Sequence, residues 1–196
     1  RQWQWDPSLD LNILKQVLPV VGRLRARRGQ TGIFTPISRA TLDDMAALQA
    51  YVAILQSNPD GAAGIVLDLH QSVLAGLGEN GMRGLAWLSS LGATFCLTGR
   101  VPAHSDIDAL TELGFAFLDI PAEEVMYAVP AGLPDPVHEL AVVTRSKNIA
   151  IIASGVTMPD NQRIIRYSAL ARGPAYQAPR VVREDAVGQS LSSNVA

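Results

Sequence analysis

Cysteine is almost absent from this sequence of 196 residues, since Cys96 is the only one. A single cysteine excludes an intrachain disulfide and a metal cluster built from cysteines, which makes a reducing cytoplasm the natural setting. Cys96 stands between Phe95 and Leu97, and this apolar context favours a buried structural thiol.

Long apolar runs and an excess of charge are also lacking. No apolar run approaches the ~18 residues of a membrane span, and a formal net charge of -2 gives no long-range attraction toward nucleic acid. Four arginines do cluster locally, at Arg23, Arg25, Arg27 and Arg28. We interpret this cluster as the solvated end of a helix, with a phosphate contact as the alternative.

The sequence begins at Arg1 without a methionine or a signal-like segment, so we expect a piece of a longer protein. The expected location is the cytoplasm, with a membrane tether in an upstream region as a further option. A hydrophobic share of 48% is enough for one core. We expect one domain over residues 1–184 and a loose polar C-terminal tail over residues 185–196.

The sequence does contain an alternation of strand and helix signals from end to end. Short apolar runs predict six strands, at residues 32–37, 64–69, 93–98, 115–120, 149–153 and 175–177. Helical spacing and capping residues predict helices at residues 6–28, 41–56, 82–91, 105–113, 135–147 and 157–171. This alternation implies an α/β domain with a mainly parallel sheet. An open doubly wound sheet and a (β/α) barrel lacking its first units both satisfy the pattern.

In either architecture, function gathers at the carboxyl ends of the parallel strands. A hydrolase acting on a phosphodiester normally gathers several carboxylates around Mg²⁺, and only Asp68 and Asp119 qualify at these ends. The three histidines lack the mutual spacing of a metal site, so we expect them at the surface or at helix ends. An enzyme of another chemistry could use Asp68 and Asp119 with His70.

Several segments of the sequence resemble, in order, the later three quarters of the EAL family of cyclic di-GMP phosphodiesterases. The resemblance covers roughly residues 11–183. Six segments match the family's N-L-S, E-I-T-E, D-D-F-G, K-I-D, A-E-G-V-E and Q-G motifs, at residues 34–38, 65–71, 91–99, 117–119, 153–157 and 176–177. The strand that carries the E-A-L tripeptide is not in this sequence. The resemblance therefore implies a TIM-barrel-like fold, (β/α) in type, that is incomplete at its N-terminus.

The resemblance also implies that the family's catalytic and metal-binding groups have been exchanged. Neutral residues stand at the positions of an asparagine, two aspartates, a lysine and two glutamates, namely Pro36, Thr98, Gly99, Phe117, Ser154 and Thr157. Asp68 replaces a metal-binding glutamate, and Asp119 keeps the family's aspartate. Two aspartates are too few for a divalent ion, so we predict no catalytic residue, no metal and no cofactor. The candidate ligand-binding residues are Asp68, Arg100, Asp119 and Gln177.

The leading hypothesis is a catalytically inactive EAL-like regulatory domain, acting as a protein-interaction scaffold or as a cyclic di-GMP receptor. The family includes inactive members such as the flagellar regulator TipF, which by analogy suggests a role in motility or surface behaviour. We favour the scaffold and a protein partner, because a dianionic dinucleotide needs well-placed cations. An active barrel hydrolase, for example a cyclic di-GMP phosphodiesterase, is the alternative. Exposed edges of a partial barrel could also be covered by a second copy in a homodimer.

Overall fold

The computed structural model describes residues 6–28, 32–100, 106–127, 129–130, 132–157 and 162–173. Its six strands form one parallel sheet: β1 (Ile33–Pro36), β2 (Ile65–His70), β3 (Thr94–Thr98), β4 (Phe115–Pro121), β5 (Ala150–Ser154) and β6 (Leu170–Arg172). Each strand pairs with the next one along the chain. In a doubly wound sheet the order of the strands reverses at a switch point. The strands of the described sheet follow one another in sequence order, which excludes that architecture.

The sheet is strongly curled, as the ring contact between Phe34 of β1 and Phe117 of β4 shows. Two strands separate β1 from β4, and three steps of about 4.8 Å would place such rings about 14 Å apart in a flat sheet. The ring centroids are 5.3 Å apart. The predicted α/β fold is therefore confirmed as an incomplete barrel with parallel strands.

One helix precedes β1 and the others connect the strands, and the main core lies between the helices and the outer face of the curled sheet. They are α1 (Pro7–Arg28), α2 (Arg39–Asp43), α3 (Met45–Gln56), α4 (Pro59–Ala62), α5 (Gln71–Gly76), α6 (Glu79–Ser90), α7 (Ile107–Glu112), α8 (Ala122–Met126), α9 (Pro136–Ser146) and α10 (Gln162–Tyr167). Within the described ranges, none of them combines the length and the apolarity that crossing a membrane requires.

Short polar side chains decide where several helices begin. The helix predicted over residues 41–56 is in fact two helices, because Ser38 caps α2 and Asp44 caps α3. The Asp44 carboxylate accepts the backbone N–H groups of Ala46 and Ala47 at 2.9 and 3.1 Å, which satisfies donors that a helix start leaves unpaired. The cap of α7 is Asp106, one residue after the predicted start of this helix at residue 105, which lies outside the described residues.

The two faces of the sheet carry two separate apolar clusters. Outward residues such as Leu67, Phe95 and Leu118 are buried beneath the helices in the main core. The inner face holds a smaller cluster of Val66, Cys96 and Ile152, with Phe34 and Phe117 packed against it. Alternation along each strand sends neighbouring side chains to opposite faces, so polar residues two positions after the inner cluster also point inward.

An irregularity in β4 keeps this alternation in phase. Phe95 pairs with Phe115 but Cys96 pairs with Phe117, so Ala116 is an extra residue opposite β3. Such a bulge lets Phe115 face the helices while Phe117 faces the inside. The same shift turns Asp119 inward.

A buried carboxylate joins α1 to the segment after β1. Asp10 is 1% exposed, and its Oδ2 atom accepts the Thr41 hydroxyl at 2.6 Å and the backbone N–H of Ser38 at 2.8 Å. Buried carboxylates need such donors. The contact fixes the chain where it leaves the carboxyl end of β1.

The end of the described chain differs from the prediction. The helix expected over residues 157–171 ends at Tyr167, and β6 follows directly at Leu170–Arg172. Pairing with β5 overrides the helix propensity of these residues, because the N–H of Ala169 donates to the carbonyl of Ile151 at 2.8 Å. The strand predicted at residues 175–177 lies outside the described residues.

Candidate functional site

Five inward residues form a polar layer at the carboxyl ends of the strands. This strand-end layer consists of Asp68, Thr98, Asp119, Ser154 and Arg172, one from each strand from β2 to β6. The sheet register holds the members beside one another, since Thr98 pairs with Asp119 and Ser154 pairs with Arg172. Four of them lie two residues after an inner-face apolar residue, so strand alternation points them to the inside.

Asp119 and Arg172 form an ion pair across the inner face. The guanidinium of Arg172 donates to Oδ2 of Asp119, although two strand steps separate β4 from β6. The Asp119 side chain is 1% exposed and that of Arg172 is 50% exposed. Burial raises the pKa of Asp119 above its ordinary value, while the charge of Arg172 opposes that rise. The pair therefore gives a buried carboxylate an internal counter-charge.

Asp68 is held by its neighbour on β3. The Thr98 hydroxyl donates a hydrogen bond to Oδ1 of Asp68, which is half-buried. The negative charge of Asp68 also helps to raise the pKa of Asp119, so the two carboxylates lie close enough to interact. The structure thus brings two of the predicted site residues into one layer.

Cys96 lies below this layer in the inner apolar cluster. It is fully buried, and burial together with the charges of Asp68 and Asp119 raises its pKa to about 12. A thiol with so high a pKa carries almost no thiolate at neutral pH. The expectation of a buried structural thiol is confirmed.

Arg100 lies outside the strand-end layer. Its side chain is 75% exposed, and its Nε atom donates to Oε1 of Glu124 in α8 at 2.6 Å. It therefore stands near the same end of the sheet without contacting the two aspartates. Gln177, the fourth candidate ligand-binding residue, lies outside the described residues.

His70 acts as a helix cap. Its Nδ1 atom accepts the backbone N–H of Ser72 at 3.2 Å and lies 2.7 Å from the Ser72 hydroxyl. The other side of the ring lies against Gly99, whose φ is +121°; a Cβ atom there would meet Nε2 of His70 at 3.0 Å. The expected helix-end position of this histidine is confirmed, and its Nδ1 atom is engaged at the start of α5.

Several solved structures share the fold of this chain. The PaMucR phosphodiesterase in complex with c-di-GMP superposes with a TM-score of 0.68 at 15% identity, over 88% of this chain and 71% of that one. The fold is that of an EAL domain. The FimX EAL domain of Xanthomonas citri, in complex with c-diGMP, gives a TM-score of 0.65 at 15% identity, over 91% of this chain and 72% of that one.

The EAL domain of Mycobacterium smegmatis DcpA gives a TM-score of 0.63 at 16% identity, over 86% of this chain and 78% of that one. No family model matches the sequence, and no curated protein matches it. The EAL fold is thus recognised from the structure. The sequence identity is too low to transfer the roles of individual residues from these proteins to this chain.

The EAL resemblance implies a divalent cation at the strand ends, and the residues of the strand-end layer do not fit one. Mg²⁺ takes hard oxygen ligands in near-octahedral geometry. Of the two carboxylates in the layer, Asp119 is bound by a guanidinium and Asp68 accepts the Thr98 hydroxyl. Among the described residues, His, Cys, Asp and Glu form no group of three or more that could hold a metal ion.

Sequence reasoning missed two charged residues of this region. Arg172 was hidden because the sequence extended the preceding helix almost to it, although the run Leu170–Arg172 ending at Gly173 was the available signal for a short strand. Glu124, the partner of Arg100, follows β4 in α8, a helix of five residues that carries no helical period of its own.

Proposed function

We propose that this chain is a catalytically inactive regulatory domain of EAL fold that acts by binding a protein partner. The ion pair between Asp119 and Arg172 carries this proposal. A metal-dependent phosphodiesterase must present free carboxylate oxygens to a cation that activates water. In this chain a guanidinium already binds Oδ2 of the most buried of those carboxylates, although its Oδ1 has no partner among the described residues.

The charges at the strand ends favour a protein partner over a dinucleotide. Cyclic di-GMP is a dianion, and its phosphates need unopposed cations or backbone donors. In the strand-end layer two aspartates face one arginine. Arg100, the next cation, is paired with Glu124. This part of the surface therefore has no excess of positive charge among its described residues.

A cyclic di-GMP receptor is the second candidate function. PaMucR and the Xanthomonas FimX domain, which share the fold, are both seen in complex with this dinucleotide. Exposed ion pairs such as that of Arg100 with Glu124 contribute little free energy. A ligand phosphate could therefore displace Glu124 from Arg100 with little loss of free energy.

Hydrolysis assays test the inactive state. We expect the purified chain to show no turnover of cyclic di-GMP with Mg²⁺ or Mn²⁺, under conditions where the PaMucR phosphodiesterase is active. Addition of either ion should also leave the melting temperature of the chain unchanged. Metal-dependent turnover that is lost in both Asp68→Asn and Asp119→Asn would contradict the proposal and establish the hydrolase.

Calorimetry separates the two binding functions. We expect no heat when cyclic di-GMP is titrated to micromolar concentrations into the chain. A micromolar dissociation constant that weakens in Arg100→Gln, but not in the matched exposed variant Arg27→Gln, would replace the scaffold with the receptor.

A further inference from the structure

A pocket lies at the opposite end of the sheet from the strand-end layer. This amino-end pocket has a volume of about 370 Å³ and opens where β5 and β6 begin, beside the last turns of α9 and α10. Its size falls within the usual range for small-molecule sites. Residues at the amino end of a (β/α) sheet ordinarily contribute to stability and not to the active site. A pocket at this end therefore needs a separate explanation.

Two arginines line the amino-end pocket, Arg145 from α9 and Arg166 from α10. Neither is paired with a carboxylate in the described part of the chain, and no acidic side chain is among the described residues of the lining. The Arg166 guanidinium lies 5.4 Å from the ring centroid of Tyr167, which holds it at the rim. Among its described residues, the pocket therefore carries two positive charges that no carboxylate opposes.

The end of α9 does not by itself account for Arg145. A cation at a helix C-terminus is stabilised by unpaired carbonyl groups, but the last turn of α9 already has partners. The Thr144 carbonyl accepts N–H groups from Lys147 and Ile149 at 3.1 and 2.9 Å, and the Arg145 carbonyl accepts that of Asn148 at 3.3 Å. The positive charge at this pocket remains available to a ligand.

A buried hydroxyl in the same pocket also lacks a partner. The Oγ atom of Ser168 is inaccessible to solvent and has no hydrogen-bond partner among the described residues. Such a group costs free energy until it is satisfied. A rotation of the Ser168 side chain toward the pocket would let this hydroxyl donate to an anionic oxygen held by the two arginines.

We propose that the amino-end pocket binds a small phosphate monoester with an apolar or aromatic body. A phosphate monoester carries close to two negative charges at neutral pH, which matches Arg145 and Arg166, and its terminal oxygens accept bonds from guanidinium and hydroxyl donors. Ile149 and Ile151 in the lining, with Ile165 exposed at 68%, provide apolar surface for the rest of the molecule.

Binding measurements with four probes test this site. We expect AMP and phenyl phosphate to bind more tightly than inorganic phosphate, and uncharged adenosine to bind at least about tenfold more weakly than AMP, since charged hydrogen bonds are lost. Arg145→Gln and Arg166→Gln should each weaken AMP binding about tenfold. Both side chains are exposed, so the variants should fold normally. Arg27→Gln in α1 makes the same change of charge elsewhere and should leave binding unaltered.

Several results would overturn the assignment. Equal affinity for AMP and adenosine would show that the pocket does not recognise the phosphate. Equal affinity for AMP and inorganic phosphate would show that the pocket does not bind the apolar body. Absence of AMP binding at millimolar concentration, or binding that Arg145→Gln and Arg166→Gln leave unchanged, would reject the pocket as a phosphate site.

Discussion

Asp119 illustrates how a carboxylate can be kept buried at the end of a strand. Removing such a group from water is unfavourable unless a proton, a metal ion or a basic side chain neutralises it. Here Arg172 supplies the neutralising charge from β6, with half of its own side chain still exposed. The carboxylate is thereby made compatible with the fold without any bound ion.

The variant Arg172→Gln should lose about 1–2 kcal/mol of unfolding free energy at pH 7, because it leaves Asp119 buried without a counter-charge and the arginine was half exposed. The pKa of Asp119 is already raised in the folded state, and the variant raises it further. A carboxyl with a raised folded pKa contributes stability that is complete below its unfolded pKa and is lost as pH rises through the folded value. The difference between variant and parent should therefore shrink toward pH 4.

Urea unfolding at pH 4 and pH 7 measures this difference. The double variant Asp119→Asn/Arg172→Gln has no carboxylate to neutralise. At both pH values it should lose only as much unfolding free energy as Arg172→Gln loses at pH 4. An equal loss for Arg172→Gln at the two pH values would mean that the ion pair contributes nothing specific.

The sequence indicated Asp68 and Asp119 as strand-end carboxylates because each lies near the end of a short apolar run. It could not indicate their partners. The contact between Asp119 and Arg172 spans 53 positions in the chain, and it depends on the curl of the sheet, which local residue patterns do not encode.

Among the elements, α9 depends on one residue that joins three helices. Asp135 caps α9 by accepting the N–H groups of Val137 and His138 at 3.1 and 3.3 Å. It also forms an ion pair with Arg163 of α10 at 2.8 Å. Arg163 in turn donates to the carbonyl of Val125 in α8 at 2.9 Å. These contacts hold α8, α9 and α10 together at one end of the sheet.

The variant Asp135→Asn should lose about 1 kcal/mol at pH 7, because asparagine keeps the cap but loses the charged bond to Arg163. Burial alone would raise the pKa of Asp135, yet the hydrogen bonds from Arg163, His138 and Val137 and the Arg163 charge lower it overall. A lowered folded pKa gives stability that is present above the unfolded value, about 4, and is lost as pH falls through the folded value. The loss should shrink below pH 4.

Thermal or urea unfolding of Asp135→Asn across that range provides the measurement. Asp106→Asn is the matched control, because Asp106 caps α7 through the N–H of Ala109 at 2.9 Å and has no ion pair in the described structure. A similar change in both variants would reduce the role of Asp135 to capping alone.

Element positions were predictable where burial dictated the pattern. The first five strands lie within one residue of their predicted starts and ends, since strands covered on both faces are continuous apolar runs. The prediction was wrong at the helix expected over residues 157–171, because a run rich in alanine and leucine fits helix and strand alike. Only pairing with β5 makes Leu170–Arg172 a strand.

For the whole molecule, the decisive property is the order of the strands. The sequence left a doubly wound sheet and a partial barrel open, because both alternate strands with helices. Sequential pairing from β1 to β6 gives the barrel. Its curvature is shown by the contact of Phe34 with Phe117 across the inner face.

Phe34→Leu and Phe117→Leu should therefore be energetically coupled. We expect their combined loss of unfolding free energy to depart from additivity by about 0.5–1.5 kcal/mol, since edge-to-face rings contribute beyond their buried area. Phe34→Leu with Phe95→Leu is the control, because Phe95 packs on the outer face of the sheet. Additive losses for Phe34 and Phe117 would indicate a flatter sheet in solution.

Because Cys96 is buried, chemical labelling of its thiol reports the opening of the fold. With a pKa near 12 and no exposed surface, the thiol resists alkylating and oxidising reagents as long as the strands stay curled around it. Modification can proceed only from states in which local or global unfolding exposes the interior, so the labelling rate measures how often those states form. Since no second cysteine is present, every labelled molecule records the same event.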